Sequence, residues 1–313
     1  MKLGLFGPIN SNSENMEKRH SFKDWLLATR PWSFPASSMP VLVTMVYLYW
    51  QGFCVNWGIA IWALVNVVVF HAAGNTWSDY YDYKRGVDRE DTIGGLSIVS
   101  GLFKACEIKK LATWLLVVAI VSGIALVFFT GLPVLYFGLA ACALTILYPW
   151  FKFHALGDVD IFLTYSLLPV MGTSYVAVGF FASSALWLVL PIGLITVGIL
   201  HINNTRDIEQ DKRAGIHTFA MLLGKRVSVY LYILEMLLPF AWVGFAVYYG
   251  AFPLWALVSF MALLPAIGNV RKALGFPANG MKALVGVDES TAQLQLLFSL
   301  LLSLSLFIDT LVR

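Results

Sequence analysis

The sequence predicts an all-α fold: a polytopic membrane bundle of nine transmembrane helices around a central cavity. Three observations carry that reading. Of 313 residues, 59% are hydrophobic and 12% charged, with a mean hydropathy of +0.75, which is the balance of a membrane protein. The apolar residues fall into nine runs, each near the ~20 residues that cross a bilayer. Arg313 apart, every Lys and Arg falls in the N-terminal region or in alternate loops.

Taken in order, residues 1–20 are polar and lack the apolar centre of roughly 7–15 residues that a signal peptide needs, so they read as an N-terminal tail. Residues 21–313 read as one transmembrane domain. SFKDWLLATRPW, residues 21–32, reads as an amphipathic segment on the membrane surface, with Trp25, Leu26 and Trp32 at headgroup level. Pro31 and Pro35 punctuate the turn into the first span. The spans then run at about 34–51, 57–77, 111–130, 132–150, 159–181, 185–204, 228–249, 251–270 and 291–311. The loops after spans 2, 4, 6 and 8 hold the cations, so the positive-inside rule places that face and the N-terminus in the cytoplasm, in an inner (cytoplasmic) membrane. The net charge of +3 forms no nucleic-acid face, and no soluble domain is large enough to indicate an obligate protein partner. Cys54, Cys106 and Cys142 have no CxxC spacing and read as packing residues.

Two stretches break the apolar pattern. NTWSDYYDYKRGVDRED, residues 75–91, follows span 2, and NNTRDIEQDKRAG, residues 203–215, follows span 6 on the same face. An acid inside a spanning helix costs roughly 2.5–3.5 kcal/mol, so acids at its wet end suggest a binding site. Asn75, Asp79 and Asp82 are spaced i, i+4, i+7, and Asn203, Asp207 and Asp211 are spaced i, i+4, i+8, so each set lies on one helical stripe. Carboxylates in this number are hard ligands suited to Mg2+, and the trailing Lys84-Arg85 and Lys212-Arg213 suit phosphate oxygens. A single such pair is more often a solvated helix end. Two matching stretches four spans apart favour a diphosphate site built on an internal repeat.

The pattern NxxxDxxDxxxGxD from Asn75 to Asp88, with NNxRDxxxDxxxG from Asn203 to Gly215, resembles the paired aspartate motifs of the UbiA superfamily of intramembrane prenyltransferases. RPWSFPASSMPVLV, GGLSIVSGL and LYPWFKFHALGDV are similar to segments of the 1,4-dihydroxy-2-naphthoate polyprenyltransferases within it. The chain departs from the pattern at Ser78, where Asn is usual, at Ile216, where Lys is usual, and at Trp32, where Lys is frequent. The resemblance implies an enzyme that moves a polyprenyl group from an allylic diphosphate to an aromatic acceptor. It implies Mg2+ as cofactor on Asp79, Asp82, Asp207 and Asp211, with Asn75 and Asn203 holding the carboxylates or a metal-bound water. Lys84, Arg85, Arg206 and Lys212 are then expected at the diphosphate, Lys152 and Arg30 at the diphosphate or the acceptor carboxylate, Asp88 among the substrate-binding residues, Tyr148 at the cavity and Asp158 at the acceptor site.

Several residues keep two readings. Tyr80, Tyr81 and Tyr148 either stabilise a cation through their ring faces or anchor at the interface. His71 and His201 either face the cavity or hydrogen-bond between helices. Asp158 and Asp160 either start a helix or serve the acceptor site, and Glu235 reads as a structural group in the bundle interior. Another acceptor, such as 4-hydroxybenzoate, haem or a lipid, is the alternative within the superfamily; a secondary transporter is the alternative outside it. Asp79→Ala or Asp207→Ala is expected to abolish turnover while the protein stays folded in detergent, as checked by a transfer assay alongside size-exclusion chromatography.

Overall fold

The computed structural model describes residues 20–86, 96–213 and 215–313. The polar tail thus lies, but for His20, outside the described residues, as does Asp88. The first helix, α1 (Phe22–Ala28), opens on a reciprocal cap in which the Ser21 hydroxyl accepts from the Asp24 amide and the Asp24 carboxylate accepts from the Ser21 amide. These bonds from Ser21 hold the Asp24 carboxyl below its ordinary pKa. Leu26 and Trp32 are exposed, as a surface segment requires, whereas Trp25 packs on Phe103 at 4.6 Å.

The spans follow. α2 (Pro35–Trp50) leads to α3 (Trp57–Lys84), and a short α4 (Leu96–Val99) to α5 (Ala105–Thr130) and α6 (Leu132–Phe153). The next crossing, residues 157–178, joins α7 (Gly157–Phe162), a π-helical turn (Leu163–Leu167) and α8 (Leu168–Val178). α9 (Leu186–Arg213) and α10 (Phe219–Tyr248) come next. A 3-10 stretch (Leu254–Ala262) then runs into α11 (Leu263–Leu274), followed by the short α12 (Phe276–Asn279) and the closing α13 (Val287–Val312). Eight of these segments are long and apolar enough to cross a membrane, so the chain is a multi-pass integral membrane protein. The remaining expected span is α2, whose 16 residues rise only about 24 Å. No strand forms among the described residues; an isolated bridge pairs His154, after α6, with His217, after α9.

The helices carrying the acidic stretches run on past the ends that hydropathy marks. α3 and α9 each have 28 residues, about 42 Å, against a hydrocarbon core of ~30 Å. Apolar composition stops where the lipid stops, but the hydrogen-bond ladder continues into the acidic turns. Each extension is followed by a glycine with φ of 70°, Gly86 and Gly215, a left-handed conformation that ends a helix and that a side chain would strain. The glycine closing each motif is therefore a backbone requirement.

α9 is the central helix: 67% of its crossing is buried, against 6% for α6, which faces lipid. It packs among Tyr47 of α2, Tyr232, Met236 and Phe240 of α10, and Phe298 and Leu302 of α13. Close approach depends on small residues, as it does generally between helices in a membrane. A Cβ on Gly193 would lie 2.5 Å from the Phe162 ring and 2.9 Å from the Ser166 hydroxyl, which itself donates to the Val189 carbonyl at 2.6 Å. The cysteines do not pack in this core: Cys54 and Cys106 are exposed and Cys142 is half-buried, because all three stand on peripheral segments. Gly193→Ala is expected to destabilise the protein by about 1–3 kcal/mol, since Phe162 and Ser166 must both shift, and thermal unfolding in detergent measures this.

Candidate functional site

The site begins with the turn before α2. Arg30 has φ of 56°, a left-handed conformation costing a non-glycine residue of order 1–3 kcal/mol, so its surroundings must impose it. They do so from α3. The Asn75 amide nitrogen donates to the Thr29 carbonyl and to the Ser33 hydroxyl, both at 2.9 Å, and Ser33 donates back to the Arg30 carbonyl at 2.8 Å. One turn earlier, His71 contacts Ser33 and Ser37 through its two ring nitrogens. The turn is thereby fixed against α3, and the Arg30 guanidinium meets the Asp79 carboxylate directly.

The other carboxylates are held in a similar way. Lys152, at the end of α6, donates to Asp82 at 3.0 Å and is also within electrostatic range of Asp211. Ser78, standing where the family pattern has Asn, donates to the same Asp82 oxygen at 3.3 Å. Arg206 grips Asp207 with two parallel bonds of 2.8 and 2.7 Å, donates to the Asn203 carbonyl oxygen, and reaches Asp288 of α13 at 3.3 Å. Asp79 and Asp82 thus meet cations from other elements, while Asp207 meets one from α9 itself. Asp79, Asp82 and Asp211 are buried, as is Arg206.

Beside these groups lies a cavity of about 260 Å3, lined by Arg30 and Asn203 but by none of the four motif aspartates. His71, Gly74, Asn75 and Ser78 of α3 line one side and Thr196, Ile199, Leu200 and Asn203 of α9 another, both sets spaced i, i+3, i+4, i+7. The spacing is that of one helix face in each case, and the two asparagines hold different places in it, third on α3 and fourth on α9. Thr145 and Tyr148 of α6 complete the wall with Asp160, Ile161, Thr164 and Tyr165. The π-helical turn lies across these last positions, a distortion often found at functional sites. Asp160 is 3% exposed, and its Oδ1 is buried without a hydrogen-bond partner among the described residues.

Some expected residues stand elsewhere. Lys84, Arg85 and Lys212 are exposed and do not line the cavity; Arg85 stacks on Phe153 at 4.4 Å, because the helix ends carry these side chains outward. Arg206 faces inward to Asp207 and Asn203. Both asparagines line the cavity; Asn75 secures the Arg30 turn and Asn203 accepts from Arg206. Tyr80 packs in the cluster of Trp25 and Phe103, and Tyr81 on Trp77, leaving Tyr148 alone of the three at the cavity. Asp158 turns away from the cavity to His201, at 2.6 Å, and Asp160 takes the cavity position instead. Asp288 and Glu289, at the start of α13, line the cavity and were not singled out from sequence; their one legible signal is an acidic pair opening an apolar span.

A family model described as the UbiA prenyltransferase family matches residues 37–276. UbiA prenyltransferase domain-containing protein 1 of Xenopus tropicalis is 34% identical over 249 residues, covering 76% of this chain and 71% of its own. The Drosophila melanogaster homolog of that protein is 29% identical over 310 residues, covering 96% of this chain and 83% of its own. Among solved structures, the apo UbiA homolog from Aeropyrum pernix K1 superposes with a TM-score of 0.66 at 17% identity, covering 89% of this chain and 97% of that one. A UbiA homolog from Archaeoglobus fulgidus bound to GPP and Mg2+ gives 0.56 at 15% identity, covering 90% and 99%. At such identities these structures show a shared fold.

Lys152→Met is expected to cost about 3–5 kcal/mol by leaving Asp82 charged and buried, and Lys152→Met with Asp82→Asn to recover much of it. Thermal unfolding of the two single variants and the double variant measures the coupling.

Proposed function

Because the chain belongs to the UbiA prenyltransferase family, whose model spans residues 37–276, we propose that it transfers a polyprenyl group from an allylic diphosphate to 1,4-dihydroxy-2-naphthoate, yielding demethylmenaquinol with loss of the acceptor carboxylate. One observation carries this reading: the acids of both motifs, held by Arg30, Lys152 and Arg206, adjoin through Arg30 and Asn203 a cavity lined by Tyr148, Tyr165 and the unpartnered Asp160 carboxylate. The acidic residues suit Mg2+, since the donors are hard oxygens and Asp82 Oδ1 is buried without a partner among the described residues. Asp79, Asp82, Asp207 and Asp211 would hold it. Bound there, Mg2+ supplies positive charge to the departing diphosphate.

The chain's own residues do the rest. Arg30 and Lys152 already stand at the carboxylates and are placed to turn to diphosphate oxygens as negative charge grows on them. Tyr148 and Tyr165 offer ring faces to the allylic cation. Asp160 accepts the hydroxyl proton of the aromatic acceptor as the ring carbon attacks, which gives its unpartnered oxygen a donor. Exposed Lys84, Arg85 and Lys212 fit the charge at the entrance better than contact with the diphosphate. With residues 21–313 acting as one domain, the site belongs to the cytoplasmic side of the inner membrane, where soluble acceptor is supplied. Acids of two motifs beside one cavity fit a reaction centre better than the two-sided access of a transporter.

Purified protein with Mg2+, geranylgeranyl diphosphate and either dihydroxynaphthoate or hydroxybenzoate is expected to form a decarboxylated prenyl naphthoquinol, read by mass. Product from hydroxybenzoate alone would replace the acceptor. EDTA is expected to stop turnover and Mg2+ to restore it. Asp160→Asn is expected to lower kcat by about 100-fold or more with the KM for the prenyl diphosphate little changed, as loss of a general base does.

A further inference from the structure

The stripe of α9 facing the cavity carries Thr196, Ile199, Leu200 and Asn203, but His201 points elsewhere and is fully buried. Its Nε2 lies 3.1 Å from the Ser228 backbone carbonyl, which can only accept, so that nitrogen carries the hydrogen. Nδ1 faces Asp158 Oδ2 at 2.6 Å. Glu235 of α10 completes the group, and one ligand atom from each of the three residues lies within 4.8 Å of the others. Glu235 is 3% and Asp158 7% exposed, yet Glu235 Oε2 and Asp158 Oδ1 are buried without partners among the described residues. Gly198, one turn before His201, leaves the space that the Met236 methyl occupies, where a Cβ would lie 2.5 Å from Cε, and its bare face adjoins Glu235 Oε2.

We propose that Asp158, His201 and Glu235 form a metal site in the bundle wall for a divalent first-row transition ion of the zinc type, separate from the aspartate motifs. Three arguments support it. The imidazole hydrogen is fixed on Nε2 by a backbone carbonyl, which is the outer contact that leaves Nδ1 as a lone-pair ligand. Tetrahedral coordination with bonds of about 2.0–2.1 Å places ligand atoms about 3.3 Å apart, within the 4.8 Å that already contains one ligand atom from each residue. Two carboxylates and a neutral imidazole cancel a 2+ charge, making the filled site neutral where unpaired charge is costly. One nitrogen with carboxylate oxygens selects zinc, cobalt or manganese over Mg2+. A proton shared between His201 and Asp158 also accounts for the 2.6 Å contact, but it leaves the oxygens of Glu235 and Asp158 orphaned, and an ion engages them.

The ion would tie α7, α9 and α10 together directly behind the second aspartate motif. To test this, the full chain in detergent is stripped with chelator, equilibrated with Co2+, desalted, and read by metal mass spectrometry and visible absorption. One cobalt per chain with a tetrahedral absorption band is expected, kept by Asp79→Asn with Asp207→Asn and lost from His201→Gln and from the milder Glu235→Gln, the last confirmed folded by size exclusion. Absence of retained cobalt in the parent protein, or cobalt that leaves the Asp79, Asp207 double variant and stays in Glu235→Gln, overturns the proposal. Neither readout depends on prenyl transfer.

Discussion

Lys152 sits between two acidic helix ends, 3.0 Å from Asp82 and within range of Asp211. Without cations there, carboxylates of α3 and α9 would face one another in a poorly solvated space, where two like charges 4 Å apart repel by about 4 kcal/mol even at an effective dielectric of 20. Arg30 and Arg206 answer the same constraint at Asp79 and Asp207. These cations come from the turn before α2, from α6 and from α9 itself, and Arg206 adds Asp288 of α13. Neutralising the acids and gathering the helices around the cavity are thus one interaction.

The periodicity of the chain showed much of this. Apolar runs located the spans, and both motifs are helical as their spacing requires, although Asn75 and Asn203 line the cavity and Asp79 and Asp207 do not. Side-chain direction was harder to read. Asp158 and Asp160 are two positions apart, about 200° around a helix, so one faces His201 and the other the cavity; nothing in the string LGDVD says which. Lys84, Arg85 and Lys212 follow the acids in sequence, but the helix carries them outward, while Arg30 and Lys152, remote in sequence, reach the acids. Asp288 and Glu289 look like ordinary acids in a first helical turn until α13 is seen to abut Arg206.

α9 shows how one helix serves two purposes. One stripe lines the cavity, and positions between those of the stripe, Gly198 and His201, are turned toward α10 and α7. A change on the buried face could therefore alter the placement of Asn203 and Asp207 without touching the cavity. Gly193, closer to the middle of the helix, has the same character, since the Phe162 ring that its absent side chain admits adjoins the π-helical turn bearing Thr164 and Tyr165.

The shortness of α2 bears on how the protein sits in lipid. A helix of 16 residues falls several ångströms short of the hydrocarbon thickness, a mismatch that an isolated helix meets by thinning the bilayer around it. Here most of α2 is buried against neighbouring helices, so protein rather than lipid fills the missing length. The Arg30 turn can then descend to the level of Asp79, more than a turn back from the end of α3, without deforming the membrane. Bilayer thickness would accordingly act on the lipid-facing α5 and α6, and through Lys152 at the end of α6 a change of lipid chain length would reach the acidic centre from the outside.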